Sequence, residues 1–133
     1  PKFGGLSGIL AALSSDRDVL VVAWDMPFVS GELLRTIVAE GPEHSADAAV
    51  PESNSPIGIE PFCAWYSAGA RRPLEDFLNA GGGSARDFVG RLPRVRRVPM
   101  SVTRQFGDPG VLFLSVNTPE DLARARAIAE AAE

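Results

Sequence analysis

The hydrophobic positions of this chain alternate between short continuous runs and stretches where they recur every three or four residues. Val19 to Trp24 is a continuous apolar run with three valines, bounded by Asp18 before and by Asp25, Met26 and Pro27 after. Such a run predicts a strand buried on both faces, the usual state in a parallel sheet. Leu33, Leu34, Ile37 and Val38 then repeat at helical spacing. Ser30 is placed to cap that helix, Glu32 sits in its first turn, and Gly41-Pro42 is expected to stop it. Upstream, Gly4 to Gly8 reads as a Gly-rich turn, and Ile9 to Leu13 as a short helix closed by Ser14, Ser15 and Asp16.

The same alternation continues downstream. Asp47 to Val50 is a short strand candidate, Pro51 to Glu60 a loop rich in Pro, Ser and Gly, and Phe62 to Tyr66 a second apolar strand. Pro73 is placed to open a helix with Leu74, Phe77 and Leu78 on one face, ended by Gly81-Gly82-Gly83. Ser84 caps a further short helix that carries Phe88, Val89 and Leu92 on its apolar side. Arg94 to Val98 mixes valine with arginine and predicts an exposed or edge strand. Gln105 to Gly110 reads as a loop, and Val111 to Val116 as the third clear strand. Thr118 caps the last helix, with Pro119 at its first position and Asp121 in the place of a capping-box Glu. Leu122, Ala125, Ile128 and Ala129 form the apolar stripe of that helix. Strands alternating with helices predict an α/β fold with a mostly parallel sheet. No repeat or linker divides residues 1–133, so a single domain is expected.

Composition narrows the class. The 133 residues are 45% hydrophobic and 23% charged, as in a globular domain. The net charge is −4, which argues against a nucleic-acid partner, and no apolar run reaches the length of a membrane span. No secretory signal pattern opens the chain, and a cytoplasmic protein is expected. Pro1 to Gly8 reads as the middle of a loop, so the chain is expected to continue upstream of Pro1. Lys2 is the only lysine, Cys63 the only cysteine and His44 the only histidine. An intrachain disulfide is therefore impossible, and a His/Cys zinc site is not expected. A hydrolase relay would have to use His44, which sits in the polar stretch from Glu40 to Asn54.

Chemistry concentrates at Asp25. In an open α/β sheet the ligand sits beyond the carboxyl ends of the strands, and Asp25 ends the strongest predicted strand. Its carboxylate there either holds a magnesium ion that also binds substrate phosphates or caps the turn with its own side chain. Other features have plainer readings. Arg94, Arg96 and Arg97 belong to a solvated edge strand, Trp65 and Tyr66 to the core, and Cys63 is a small buried hydrophobe.

Several short motifs then fall in one order. The run Val19 to Ala23 with Trp24-Asp25-Met26-Pro27-Phe28-Val29 resembles the Asp-Met-Pro-Phe strand end of the molybdenum cofactor guanylyltransferases. Gly4-Gly5-Leu6-Ser7-Gly8 stands where that family has Gly-Pro-Leu-Ala-Gly. Pro61-Phe62-Cys63-Ala64-Trp65-Tyr66 is similar to its Pro-Leu-Cys-Ala-Leu-Tyr strand. Phe106-Gly107-Asp108-Pro109, with Phe113 to Leu122, resembles its C-terminal Asn-Val-Asn-Thr-Pro-Glu-Asp-Leu element, the first Asn being Ser115 here. The family's opening Leu-Ala-Gly-Gly-x-Ser-x-Arg-Met-Gly loop and its following Lys have no counterpart.

The resemblance implies a Rossmann-like fold of the nucleotide-diphospho-sugar transferase type, incomplete at its N-terminus. It implies an enzyme, inactive without the N-terminal segment, that transfers GMP from GTP to molybdenum-bound molybdopterin and releases pyrophosphate. It further implies Mg2+ as cofactor and GTP and molybdopterin as ligands, with molybdoenzymes or cofactor-insertion proteins as further partners. Asp25 would be the catalytic residue and magnesium ligand, and Gly5, Leu6, Ser7, Gly8 and Asp25 would line the nucleotide. Asn117, Ser115 and Asp108 would face the pterin. The alternatives are a cytidylyltransferase on the same acceptor, a sugar-phosphate nucleotidyltransferase of the same fold, and a non-catalytic α/β binding module.

Overall fold

The computed structural model describes residues 5–132. Gly4, the first residue of the expected Gly-rich turn, lies outside the described residues. Four strands form one sheet in the order β1-β3-β2-β4, with β1 at Val19–Val22, β2 at Ala48–Pro51, β3 at Cys63–Tyr66 and β4 at Val95–Val98. β3 runs antiparallel to both β1 and β2, and β4 runs parallel to β2. Three strands therefore share one direction and β3 opposes them. The fold is α/β, as the alternation predicts, with a mixed sheet.

The helices are α1 (Leu6–Leu13), α2 (Gly31–Glu43), α3 (Arg71–Asn79), α4 (Ala85–Arg91), α5 (Met100–Thr103), α6 (Pro109–Leu112) and α7 (Pro119–Ala131). A 3-10 turn at Ala68–Ala70 leads into α3. They cover both faces of the sheet, and the strand alternation divides the core in two. Ala48, Val50, Ala64 and Tyr66 join Leu6, Ile9, Leu13, Leu74, Phe77 and Phe88 under α1, α3 and α4. Ala49, Cys63, Trp65 and Val98 point the other way, to Leu33, Ile37, Leu112 and Phe113. The period of two in β2 and β3 thus feeds two separate clusters, and both strands are buried at every position.

Local signals formed the helix ends as expected. The Ser30 hydroxyl accepts from Leu33 N–H, and the Ser84 hydroxyl from Asp87 N–H. At α7, Thr118 and Asp121 cap each other's backbone reciprocally, with Pro119 at the first position. Positive φ at Gly81, Gly82 and Gly83 takes the chain out of α3, as the Gly run suggested.

Five expectations need correction. The Val19–Val22 strand is not buried on both faces. Val19 and Val21 pack on the α1 cluster, while Leu20 and Val22 are each 38% exposed and Trp24 is 94% exposed. Among the described strands β1 is an edge, so only one of its flanks is paired. Gly41-Pro42 does not stop α2, which runs on to Glu43. The helix extends one residue past Pro42 and is closed by the N–H of His44, which donates to Glu40 O and Gly41 O. The Gly-rich segment is not a separate turn, because Gly5 caps α1 and Gly8 lies within it. Val111 to Val116 is not a strand. Asp108 and Pro109 nucleate the short α6 instead, and its Val111 and Leu112 are helical. The α7 stripe is mostly unburied, since only Ala125 is buried and Leu122 remains 42% exposed.

β4 is the second edge, as its arginines suggested. Arg96, however, turns inward to the Glu40 carboxylate on α2 at 3.3 Å, and His44 Nε2 lies 3.0 Å from the other oxygen. His44 is therefore held at the end of a helix rather than loose in a polar stretch.

Candidate functional site

One end of the sheet gathers most of the residues singled out above. The carboxyl ends of β1, β2 and β4 and the amino end of β3 meet there, because β3 runs against its neighbours. Val22 pairs with Cys63, and Ala23 N–H donates to Phe62 O at 2.7 Å. Glu60 N–H donates to Pro51 O and Glu52 N–H to Val98 O, both at 2.9 Å. This is the end at which an α/β sheet offers a ligand crevice.

Asp25 stands at this end, just past the edge strand β1. The turn after β1 closes by Met26 N–H on Ala23 O, and the Asp25 carbonyl accepts from Val116 N–H at 2.8 Å. The Val116 bond is what ties the C-terminal segment, expected as a strand, to the site. The half-buried Asp25 side chain lines three adjoining cavities. One, of about 450 Å³, also has Gly5, Gly8, Val22, Trp24 and Phe62 in its wall. The second, of about 250 Å³, includes Met26, Ser55, Glu60, Phe62 and Ser115. The third, of about 390 Å³, is an apolar groove between Trp24, Phe28 and the Leu122 face of α7. Among the described residues the carboxylate takes part in no hydrogen bond or ion pair. It does not cap its own turn, which removes the plainer of its two readings.

The other expected residues divide between these walls. Gly5 approaches Phe62 so closely that a side chain on it would overlap the ring, and Gly8 faces open space. Leu6 is 1% exposed, so its side chain belongs to the core and only its backbone can meet a ligand. Ser7 is exposed beside them. Ser115 lines the 250 Å³ cavity and a neighbouring one of about 420 Å³. Asp108 accepts from Gly110 N–H at 3.1 Å as the cap of α6, and Gly110 borders that second space. Asn117 is exposed at the start of the α7 cap, where its N–H donates to the Asp121 carboxylate at 3.1 Å. It does not line these cavities.

Three residues unmarked by sequence also belong here. Glu60 lines both cavities that contain Ser115. The Ser53 hydroxyl donates to Glu60 Oε2 at 2.5 Å, and Ser55 N–H donates to Ser53 Oγ at 3.2 Å. Burial pushes the Glu60 carboxyl above the usual range, against the lowering effect of its hydrogen bonds to Ser53 and Ser55. The only sequence signal was an acidic residue two positions before the apolar run that starts at Phe62.

A divalent metal fits Asp25 better than any other group described. The carboxylate is a hard oxygen ligand with no ion-pair partner among the described residues, and substrate phosphates can complete the shell. Among the described residues, three metal-ligating side chains converge only at Glu40, Glu43 and His44. That cluster lies beside the amino ends of β2 and β4, the far end of the sheet, and the Arg96 guanidinium already occupies it.

Comparison with known proteins gives the family. A family model described as the MobA-like NTP transferase domain matches residues 1–95. A protein of Pelotomaculum thermopropionicum named "Probable molybdenum cofactor guanylyltransferase" is 40% identical over 96% of the chain, which spans 60% of that relative. The molybdenum cofactor guanylyltransferase of Desulfosudis oleivorans is 33% identical over 96% of the chain and 62% of its own length. The crystal structure of molybdopterin-guanine dinucleotide biosynthesis protein A from Archaeoglobus fulgidus superposes with a TM-score of 0.84 at 34% identity. That match covers 96% of this chain and 63% of the other. The chain thus spans about three fifths of the relatives it matches. No helix among the described residues is long and apolar enough to cross a membrane.

Proposed function

The chain belongs to the MobA-like NTP transferase domain family, and on that premise we propose that the protein containing it transfers GMP from GTP to molybdenum-bound molybdopterin. In this reaction an oxygen of the acceptor's terminal phosphate bonds to the α-phosphorus of GTP. The bond between the α-phosphorus and its bridging oxygen breaks, and pyrophosphate leaves with the electron pair. Such a transfer needs alignment and charge neutralisation more than an enzyme nucleophile.

The observation that carries the reading is the position of Asp25. Among the described residues it is a carboxylate without a hydrogen-bond or ion-pair partner, shared between a cavity walled by Gly5 and Gly8 and one walled by Ser115. MobA-like nucleotidyltransferases work with a divalent metal, and magnesium is the ion assigned to Asp25 here. The metal would neutralise charge on the nucleotide phosphates. Gly5, Gly8 and the backbone of Leu6, with Ser7, would line the nucleotide side. Ser115, Asp108 and Asn117 would face the pterin, with Asn117 oriented by the cap at Thr118. The same reading carries a cytoplasmic site of action and hand-off of the product to molybdoenzymes or insertion proteins.

The test uses the complete protein with magnesium, GTP and molybdenum-bound molybdopterin. Pyrophosphate release that depends on the acceptor, with formation of the guanine dinucleotide, is expected. Transfer from CTP in place of GTP would make it a cytidylyltransferase. Release only with a sugar phosphate as acceptor, or no transfer at all, would overturn the assignment.

A further inference from the structure

We infer that Glu60 binds the 2-amino-4-oxopyrimidine edge that guanine and a pterin share, in the cavity it lines together with Asp25. The inference rests on the guanylyl-transfer reading, which brings one ring of each kind to this end of the sheet.

Glu60 is fixed on both sides before its side chain is considered. Its N–H donates to Pro51 O at 2.9 Å and its carbonyl accepts from Cys63 N–H at 3.1 Å. The neighbouring bridge between Glu52 and Ile59 holds the same strand end. The side chain is oriented in turn by Ser53, whose hydroxyl donates to Oε2 at 2.5 Å and is itself held by the Ser55 N–H at 3.2 Å. A carboxylate has about four acceptor positions, so the Ser53 hydroxyl leaves most of them for a ligand.

The surroundings lack what normally accompanies such a group. Among the described residues no arginine, lysine or histidine lies within ion-pair distance of Glu60. Desolvating a carboxylate without a cation is costly, and burial raises the Glu60 carboxyl above the usual range, so N–H donors from a ligand would offset that cost. Met26, Ile57, Ile59 and Phe62 supply apolar walls to the same cavity. A pinned carboxylate between apolar walls suits a flat ring that presents two parallel N–H donors, because the two carboxylate oxygens accept such a pair side by side. Guanine and pterins carry that pair as the ring N–H and the 2-amino group. Cytosine and adenine do not.

The experiment compares the complete wild-type protein with Glu60→Gln by calorimetric titration. The probes are GTP and ITP, which differ by the 2-amino group, and 6-hydroxymethylpterin phosphate with its 2-desamino counterpart. One of the two parent ligands should lose roughly 10- to 100-fold in affinity in Glu60→Gln. Wild type should show a similar loss when the 2-amino group is removed from that ligand, and the variant should discriminate far less. Loss for GTP assigns the edge to guanine, and loss for the pterin assigns it to the acceptor. Unchanged affinities in a folded variant, or equal losses with and without the amino group, would overturn the inference while leaving transfer activity in place. The wild-type comparison needs no variant, so absence of any 2-amino preference in wild type overturns it as well. If wild type binds neither GTP nor the pterin, the functional reading itself falls, and this inference with it.

Discussion

Gly41 on α2 lies against the indole ring of Trp65 on β3 so closely that a Cβ at position 41 would overlap the ring. The helix crosses the sheet at this point, and Gly41 is buried although it lies in the last turn of α2. The sequence pair Gly41-Pro42 looks like a stop signal, yet its glycine serves packing. Gly41→Ala should therefore destabilise the protein by about 1–3 kcal/mol through overpacking, despite alanine's better helix propensity. Urea denaturation gives the value, and a stabilised variant would show that the Trp65 ring yields without cost.

Asp25→Asn should separate stability from activity. The carboxylate makes no hydrogen bond or ion pair among the described residues, so the fold loses nothing with its charge. Transfer in the complete protein should fall by on the order of 100-fold or more if the residue holds the metal. The melting temperature should stay within a degree or two, roughly. Near-normal turnover in a folded Asp25→Asn protein would remove the assignment.

The α7 cap predicts an acid response. The Asn117 N–H, followed by the Thr118 hydroxyl and N–H, holds the Asp121 carboxyl below the usual aspartate range. A folded pKa below the unfolded one means that the unfolded chain binds the proton more readily. The stabilisation is thus complete above the ordinary aspartate pKa and is lost as pH falls through the lower folded value. Asp121→Asn should flatten the acid limb of a stability-versus-pH curve in that window. Superimposable acid limbs for the two proteins would show that the cap is not coupled to stability.

Cys63 should be chemically silent in the native state. Burial, and secondarily the nearby Glu60 charge, push its thiol up to about 12, so the thiolate that reacts is scarce at neutral pH. An aromatic disulfide reagent at pH 8 should label it only at the rate of unfolding, and fully in denaturant. Rapid labelling of the folded protein would mean that the β1–β3 end of the sheet opens readily.

The sequence determined on its own whatever depends on a few adjacent residues. The caps at Ser30, Ser84 and Thr118, the Gly81–Gly83 helix end and the apolar faces of α2, α3 and α4 were all legible, because a cap or stripe forms between residues three or four apart. The family motifs around Asp25 were legible for the same reason, since each is a short contiguous string.

Tertiary structure decided which strand is central and which residues share a cavity. The most apolar run became an edge with Trp24 outside, while the unassuming Ala48–Pro51 became the buried middle of the sheet. Strand order depends on partners distant in sequence, and an apolar run carries no mark of how many it will have. Val111–Val116 had strand-like composition, but none of the described strands pairs with it, and Asp108-Pro109 turned its first residues into α6. Glu60 reached the Asp25 cavity only because β3 runs antiparallel and brings its amino end beside the carboxyl end of β1. That direction is fixed by the pairing of β3 with β1 and β2, strands distant from it in sequence, and is visible in no short stretch of the chain.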